Sequence, residues 1–249
     1  MKPEHQCGVA MCAMCGDEKQ APREVCAPDL MLAVKEFTVA FGQPVGVAPT
    51  ADLLHLRQTL LEEEAGECRT ALDALQEAAT QTIPPAAVLT LEAELLDGLV
   101  DTVYIALGTL VTFGMRLIMR SIMIDLGNNW HSARKRQEDV EDHIAAAGHL
   151  TATLITALEQ NPRYEVSSAE SDALAHHLAA AVMIAIGAAL VHGWDFGEAF
   201  ARVHASNMSK LDADGKPVIS DGTDGHPKGK ILKSERFFKP DLLDLVGGA

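Results

Sequence analysis

Two segments, YIALGTLVTFG at 104–114 and MIAIGAALVHG at 183–193, superimpose without gaps at a shift of 79 residues. The same shift carries Arg57-Gln58 onto Arg136-Gln137, Leu61 onto Val140, Glu62 onto Glu141 and Glu63 onto Asp142. One offset serving two separated segments points to a duplicated unit, and repetition of this kind decides architecture before any single residue does. Alanine-rich helices also resemble one another, so convergent core packing within one larger bundle is the alternative. Both readings expect an all-α fold, a helical bundle. Aromatics are only 4% of the 249 residues and Ala and Leu dominate, while the 48% hydrophobic content suffices for a sizeable core.

Capping and breaking residues divide the chain. Asp29 can open a helix to about Phe41, ended by Gly42 and Pro44, and Thr50 or Asp52 opens a long helix to about Ala79. After the loop TQTIPP a third helix is expected from about Ala86 to Phe113, stopped at Gly114. Another helical stretch should cover Met115 to about Gln160, broken near Gly127-Asn128-Asn129, and NPRYEVSS separates it from a helix over about Ala169–His192. Asp195 caps a short helix to Lys210, and from Leu211 the chain turns rich in Gly, Asp, Lys and Pro, as in an ordered or semi-ordered tail. The expected organisation is a Cys-rich segment (1–28), a first repeat (29–114), a second repeat (115–210) and a C-terminal tail (211–249).

The balance of 35 acids against 20 bases, formally −15, repels nucleic acid and anionic membrane. The start MKPEHQCGVAMC has no apolar stretch of the secretory kind, and the longest apolar run, Leu178 to Val191, is short for a bilayer. Five cysteines, an odd number, fit reduced thiols, so a soluble, cytoplasmic protein is expected.

Within this acidic chain the charges are placed unevenly. LLEEEAGECRTAL at 60–72 puts Glu62, Glu63, Glu64 and Glu67 within six positions, although like charges so close on a helix repel by roughly 0.2–0.5 kcal/mol per pair. ELLDGLVD at 94–101 gives Glu94, Asp97 and Asp101 at i, i+3 and i+7, one face of the third helix. Beside them Leu91, Val100, Ile105 and Gly108 form an apolar stripe that must be buried, so the acidic strip is not simply a solvent face. If the two helices pack antiparallel, five or six carboxylates converge, and unpaired they could not all stay ionised. A divalent ion resolves that conflict, and an all-oxygen donor set suits Mg²⁺ or Mn²⁺ better than zinc. Magnesium held this way keeps waters and engages substrate phosphates, which points to hydrolysis of a phosphate ester or anhydride. Across the repeat, Glu64 maps onto His143, Glu67 onto Ala146, Glu94 onto Ala173, Asp97 onto His176 and Asp101 onto Ala180. The first copy thus reads as catalytic and the second as degenerate scaffold. The competing reading from another class is a non-catalytic helical protein whose acidic face binds a partner or cations.

EEAGE (63–67) followed by ELLD (94–97) resembles the EExxE…ExxD signature of the all-α nucleoside triphosphate pyrophosphohydrolases, a group that includes MazG-like proteins, dimeric dUTPases and phosphoribosyl-ATP pyrophosphohydrolase. GWDFGEAFARVHASNMSKLDADGKP, with GKILK and the later KPDLL, is similar to the C-terminal half of the phosphoribosyl-ATP pyrophosphohydrolase-like members. The resemblance covers roughly 30–114 and 193–243. It implies cleavage of a (deoxy)nucleoside triphosphate between the α- and β-phosphates, giving monophosphate and pyrophosphate. It further implies Mg²⁺, with Mn²⁺ as a substitute, on Glu63, Glu64, Glu67, Glu94 and Asp97, with Glu64 orienting or deprotonating the attacking water. Asn207 and Lys210 would reach the phosphates or sugar, with Lys230 and Lys233 closing from the tail. The departure from the pattern is the 78 residues from Met115 to His192 between its two halves, which a fused second copy explains. The implied assembly is a homo-oligomer, a dimer of covalent pseudo-dimers, and it leaves open whether Asn207 and Lys210 meet the acids within one chain. A phosphoribosyl-ATP hydrolase is the runner-up among enzymes.

Cys7, Cys12, Cys15 and Cys26 are spaced as a candidate structural Zn²⁺ set around CAMCG, with a reduced tail as the alternative. Cys68 reads as a small core residue, and His149, His176 and His177 as packed or surface residues rather than ligands. For a base-binding wall the aromatic candidates are Trp130, Trp194, Phe237 and Phe238.

Overall fold

The computed structural model describes residues 27–117, 133–161, 163–223, 225–226 and 229–247. Among them the elements are six α-helices, one short 3₁₀ turn and two isolated β-bridges. The helices are α1 (Ala27–Ala40), α2 (Ala51–Ala79), α3 (Pro85–Phe113), α4 (Ala133–Gln160), α5 (Ser168–Val191) and α6 (Phe196–Met208). The all-α expectation holds.

Helix starts follow the capping chemistry of the sequence. Thr50 caps α2 by accepting from the Leu53 N–H, Asp195 caps α6 by accepting from the Glu198 N–H, and Ser167 with Glu170 forms a reciprocal capping box at α5. One expectation fails. Helix was expected to resume at Met115, but Met115–Leu117 are not helical. The reason is Gly114, which takes a left-handed conformation (φ 63°), while the Met115 N–H returns to the Leu110 carbonyl and closes α3.

α2 and α3 form one antiparallel hairpin and α4 and α5 a second. The hairpins stack so that α3 meets α5 and α2 meets α4, giving a four-helix arrangement. α3 is the central rod: α1 and α6 also lean on it, and Leu95 to Phe113 is buried almost without a break. An apolar run of that kind has no solvent face to spare. By length and composition Pro85–Phe113 and Ser168–Val191 could each cross a membrane, but their apolar windows are 83% and 72% buried inside the bundle.

Close approach of α2 to α3 depends on Gly98. A β-carbon there would lie 2.9 Å from the Cys68 Cα and 3.1 Å from its Cβ. Cys68 is buried at this crossing, as the sequence suggested. Gly98→Ala is therefore expected to lower unfolding free energy by about 1–3 kcal/mol through overpacking. Urea denaturation checks this, and an unchanged midpoint would contradict the close crossing.

The C-terminal arm is fastened to α6. Arg202 bridges Glu198 to Asp244 and donates to the Asp241 carbonyl at 2.8 Å. Ser206 donates to the Phe238 carbonyl at 2.7 Å, and Leu242 and Val246 enter the core. Bridges Leu211–Pro217 and Ile219–Ile231 fold the intervening chain back, which returns Lys230 to α2.

Candidate active site

The two acid-bearing faces meet across the α2–α3 hairpin. Glu63, Glu67, Glu94, Asp97 and Asp101 line one open cleft of about 600 Å³, together with Glu62 and Lys239. Glu64 and Asp101 face an adjoining cavity of about 160 Å³, which Asn207, Lys210 and Lys230 also line. Asp101 belongs to both, so it stands where cleft and cavity join.

Burial is graded across the cluster. Glu63, Glu67 and Glu94 are exposed at the rim, whereas Glu64, Asp97 and Asp101 sit half-buried at its base. Burial first, then the neighbouring Asp101, Glu67 and Glu63, push the Glu64 carboxyl up to about 8, against a partial pull from Lys210. Burial and Asp97 push Asp101 up to about 7, again with Lys210 opposing. Asp97 is raised by burial and Glu67, with Lys239 and Lys210 opposing. Its Oδ1 is buried without any hydrogen-bond partner. Crowded carboxylates with an orphaned oxygen are what an oxygen-ligated divalent cation would relieve. The donor set therefore fits Mg²⁺. No three His, Cys, Asp or Glu side chains among the described residues are already gathered into a metal-gripping arrangement.

The basic residues come from α6 and the arm of the same chain. Lys210 donates to the Asn207 Oδ1 at 2.6 Å, and burial lowers its ammonium pKa while Asp101 and Glu64 hold it up. Lys230 spans Glu63, 3.1 and 3.2 Å from its two oxygens. Lys233 lies over the Phe237 ring, 4.6 Å from its centre, and is near enough to Lys210 to be felt by it. Within one chain, then, Asn207, Lys210 and Lys230 stand beside the acids.

Two further charged groups stand in the site. Asp101 shares the acidic face without belonging to the EEAGE or ELLD motif, and Lys239 faces Asp97 and Asp101. Lys239 comes from an irregular segment with no periodic signal to place it. Of the aromatic candidates for a base wall, Trp194, Phe237 and Phe238 line neither the cleft nor the cavity. Trp194 is buried and stacked on His192, Phe237 is engaged by Lys233, and Trp130 lies outside the described residues. The aromatic walls of the cavity are Phe37 and Tyr104 instead. Cys7, Cys12, Cys15 and Cys26 also lie outside the described residues or have no described side chain, and nothing in the described part supports zinc there.

In the second hairpin, the positions that the 79-residue offset pairs with Glu64 and Asp97 carry His143 and His176. These join His177 in a partly exposed cluster, with His143 Nδ1 and His177 Nδ1 3.0 Å apart. Burial and the neighbouring rings lower the His143 and His177 pKa values, which keeps these imidazoles neutral near pH 7.

Comparison with curated proteins and with solved structures returned no match. Residues 34–120 match the phosphoribosyl-ATP pyrophosphohydrolase family. That span contains both acid-bearing helix faces, the EEAGE and ELLD motifs and Asp101. Over residues 34–120 the chain is therefore similar to the phosphoribosyl-ATP pyrophosphohydrolase family, part of the MazG-like all-α superfamily.

Proposed function

We propose that this protein is a Mg²⁺-dependent nucleotide pyrophosphohydrolase that cleaves a (deoxy)nucleoside triphosphate between its α- and β-phosphates. The observation that carries the reading is the orphaned Asp97 Oδ1 within a carboxylate cluster faced by lysines. Glu63, Glu64, Glu67, Glu94, Asp97 and Asp101 would hold the metal, with Mn²⁺ as a substitute. When bound, such an ion polarises the phosphoryl group and neutralises charge on the departing pyrophosphate.

The protein groups have separate tasks. Glu64 is set back from the rim at the mouth of the cavity, and its raised pKa suits a group that accepts a proton from the attacking water near neutral pH. Asn207 is buried and pinned by Lys210, so the pair presents a fixed amide and an ammonium towards phosphate or sugar oxygens. Lys230 reaches the rim from the arm and can neutralise phosphate charge together with Lys210. The α4–α5 hairpin is scaffold in this account, a degenerate copy fused to the first. A dimer of such chains and a cytoplasmic location complete the proposal, and light scattering of the purified protein tests the former.

The matched family favours one second reading, hydrolysis of phosphoribosyl-ATP itself. Protein stripped of metal with EDTA is incubated with each NTP and dNTP and with phosphoribosyl-ATP, before and after Mg²⁺ is added. Monophosphate and pyrophosphate in equal amounts, only with metal, are expected. Orthophosphate release would contradict α–β cleavage, and turnover confined to phosphoribosyl-ATP would favour the second reading. No turnover with Mg²⁺ or Mn²⁺ would favour a non-catalytic acidic binding protein.

A further inference from the structure

Arg57 is the charged group in the cavity that the hydrolysis chemistry does not use. Arg57 is half-buried and lines the cavity. Burial lowers its pKa to about 10, which marks how far it has been taken out of water. It donates through Nε to the Thr109 Oγ1 at 3.1 Å and through Nη2 to the Ile105 carbonyl at 2.7 Å, and no carboxylate pairs with it among the described residues. A guanidinium has five N–H donors and no acceptor, so three donors are left unspent. Space for it comes from Gly108, where a β-carbon would lie 2.5 Å from Nη2.

Its distance from the acids gives the unspent donors a meaning. Arg57 and Glu64 are seven residues apart on α2, about 10 Å along the helix. The charges acting on Glu64 are those of the cleft and Lys210, so Arg57 stands apart from the phosphate end. Phe37, Leu56, Leu60, Tyr104, Ile105 and Ile231 line the cavity that Arg57 shares with Glu64, with Thr38, Gln43 and Thr112 as polar neighbours. A partly aromatic lining of aliphatic side chains with a few polar groups among them is suited to a flat heterocycle. A donor-only fork at its end matches two adjacent acceptors, such as the carbonyl oxygen and ring nitrogen of a 6-oxopurine, whereas a 6-aminopurine sets a donor against it.

Resting on the hydrolase reading above, we propose that Arg57 reads the base in this cavity and selects nucleotides of the 6-oxopurine class over 6-aminopurines. Gly108 is the positioning residue that lets the guanidinium take up its station.

The test compares dGTP, dITP, dATP and the pyrimidine triphosphates by kcat/KM. In parallel it compares dGMP with dAMP by calorimetric binding to the full chain without metal. The wild type should favour dGTP and dITP over dATP by about tenfold or more, with dITP as good as dGTP because it keeps the same two acceptors. Arg57→Gln should erase that ratio by about tenfold or more. Gly108→Ala, which keeps the guanidinium but displaces it, should shift the ratio the same way. Preference for dATP or a pyrimidine, or equal losses for every nucleotide in Arg57→Gln, would overturn the assignment. If Arg57→Gln fails to fold by its thermal melt, the wild-type preference for dGMP over dAMP decides. Monophosphate binding needs no hydrolysis, so failure of the base assignment and failure of the hydrolase reading are seen separately.

Discussion

Glu64→Gln should lower kcat by about 10²- to 10⁴-fold, the range associated with loss of a general base, while the protein remains folded. Glutamine keeps the shape of the side chain and removes both its basicity and its charge. Because Glu64 is crowded by Asp101, Glu67 and Glu63, the same change should also raise the melting temperature of the metal-free protein. Activity lost together with stability gained is a combination that unfolding cannot mimic. The counterpart experiment is Glu141→Gln in the second hairpin. Glu141 pairs with the exposed Arg69 across the α2–α4 contact and lines neither the cleft nor the cavity. Its loss should leave kcat near the wild-type value. Equal losses from both substitutions would refute the division into a catalytic and a degenerate hairpin.

Stability of the metal-free protein should fall as pH rises between about 6.5 and 8. Glu64 and Asp101 have folded-state values of about 8 and about 7, above the ordinary 4.5 and 3.8 that apply once the chain unfolds. The folded state therefore binds more protons than the unfolded state in this window, and stability declines with pH by about 1.4 kcal/mol per pH unit for each such proton. The decline ends once pH passes the folded values. Below about pH 6.5 the lowered values of His143 and His177 act in the opposite sense, since there the unfolded state binds the extra protons. A chain of this length loses roughly 2–4 °C of melting temperature per kcal/mol, so calorimetry in EDTA resolves the trend. Saturating Mg²⁺ should raise the melting temperature most at pH 8, because the ion selects the ionised carboxylates. A flat or rising profile in EDTA, or a Mg²⁺ effect independent of pH, would contradict the crowded-carboxylate description.

What could be read in advance follows from the range of the signals. The helices were legible because capping residues and the 3.6-residue period are local, as Thr50 and Asp195 show. Meeting of the acidic faces was legible for the same reason: Glu63 and Glu67, or Glu94, Asp97 and Asp101, must share a face in any α-helix. Rank within the cluster was not. That Asp101 sits at the junction of cleft and cavity, half-buried below the rim, depends on α6 and the arm folding over it. Lys239 and Lys230 are placed by the anchoring of an irregular arm through Arg202 and Ser206, which leaves no periodic trace. Arg57 gained its station from a glycine across the hairpin, 51 positions away, and no pattern within α2 announces it. The expected helix at Met115 failed because the left-handed turn at Gly114 ended α3 with a reversal.

Attack by Glu64-activated water at the α-phosphorus fixes where the new oxygen must appear. Hydrolysis of the preferred nucleoside triphosphate in ¹⁸O-labelled water with Mg²⁺, followed by ³¹P NMR, locates the new oxygen directly. The label should appear only on the phosphorus of the nucleoside monophosphate, with unlabelled pyrophosphate formed in equal amount. Label in pyrophosphate or orthophosphate would show attack at a different phosphorus and contradict the mechanism derived from Glu64 and its neighbours.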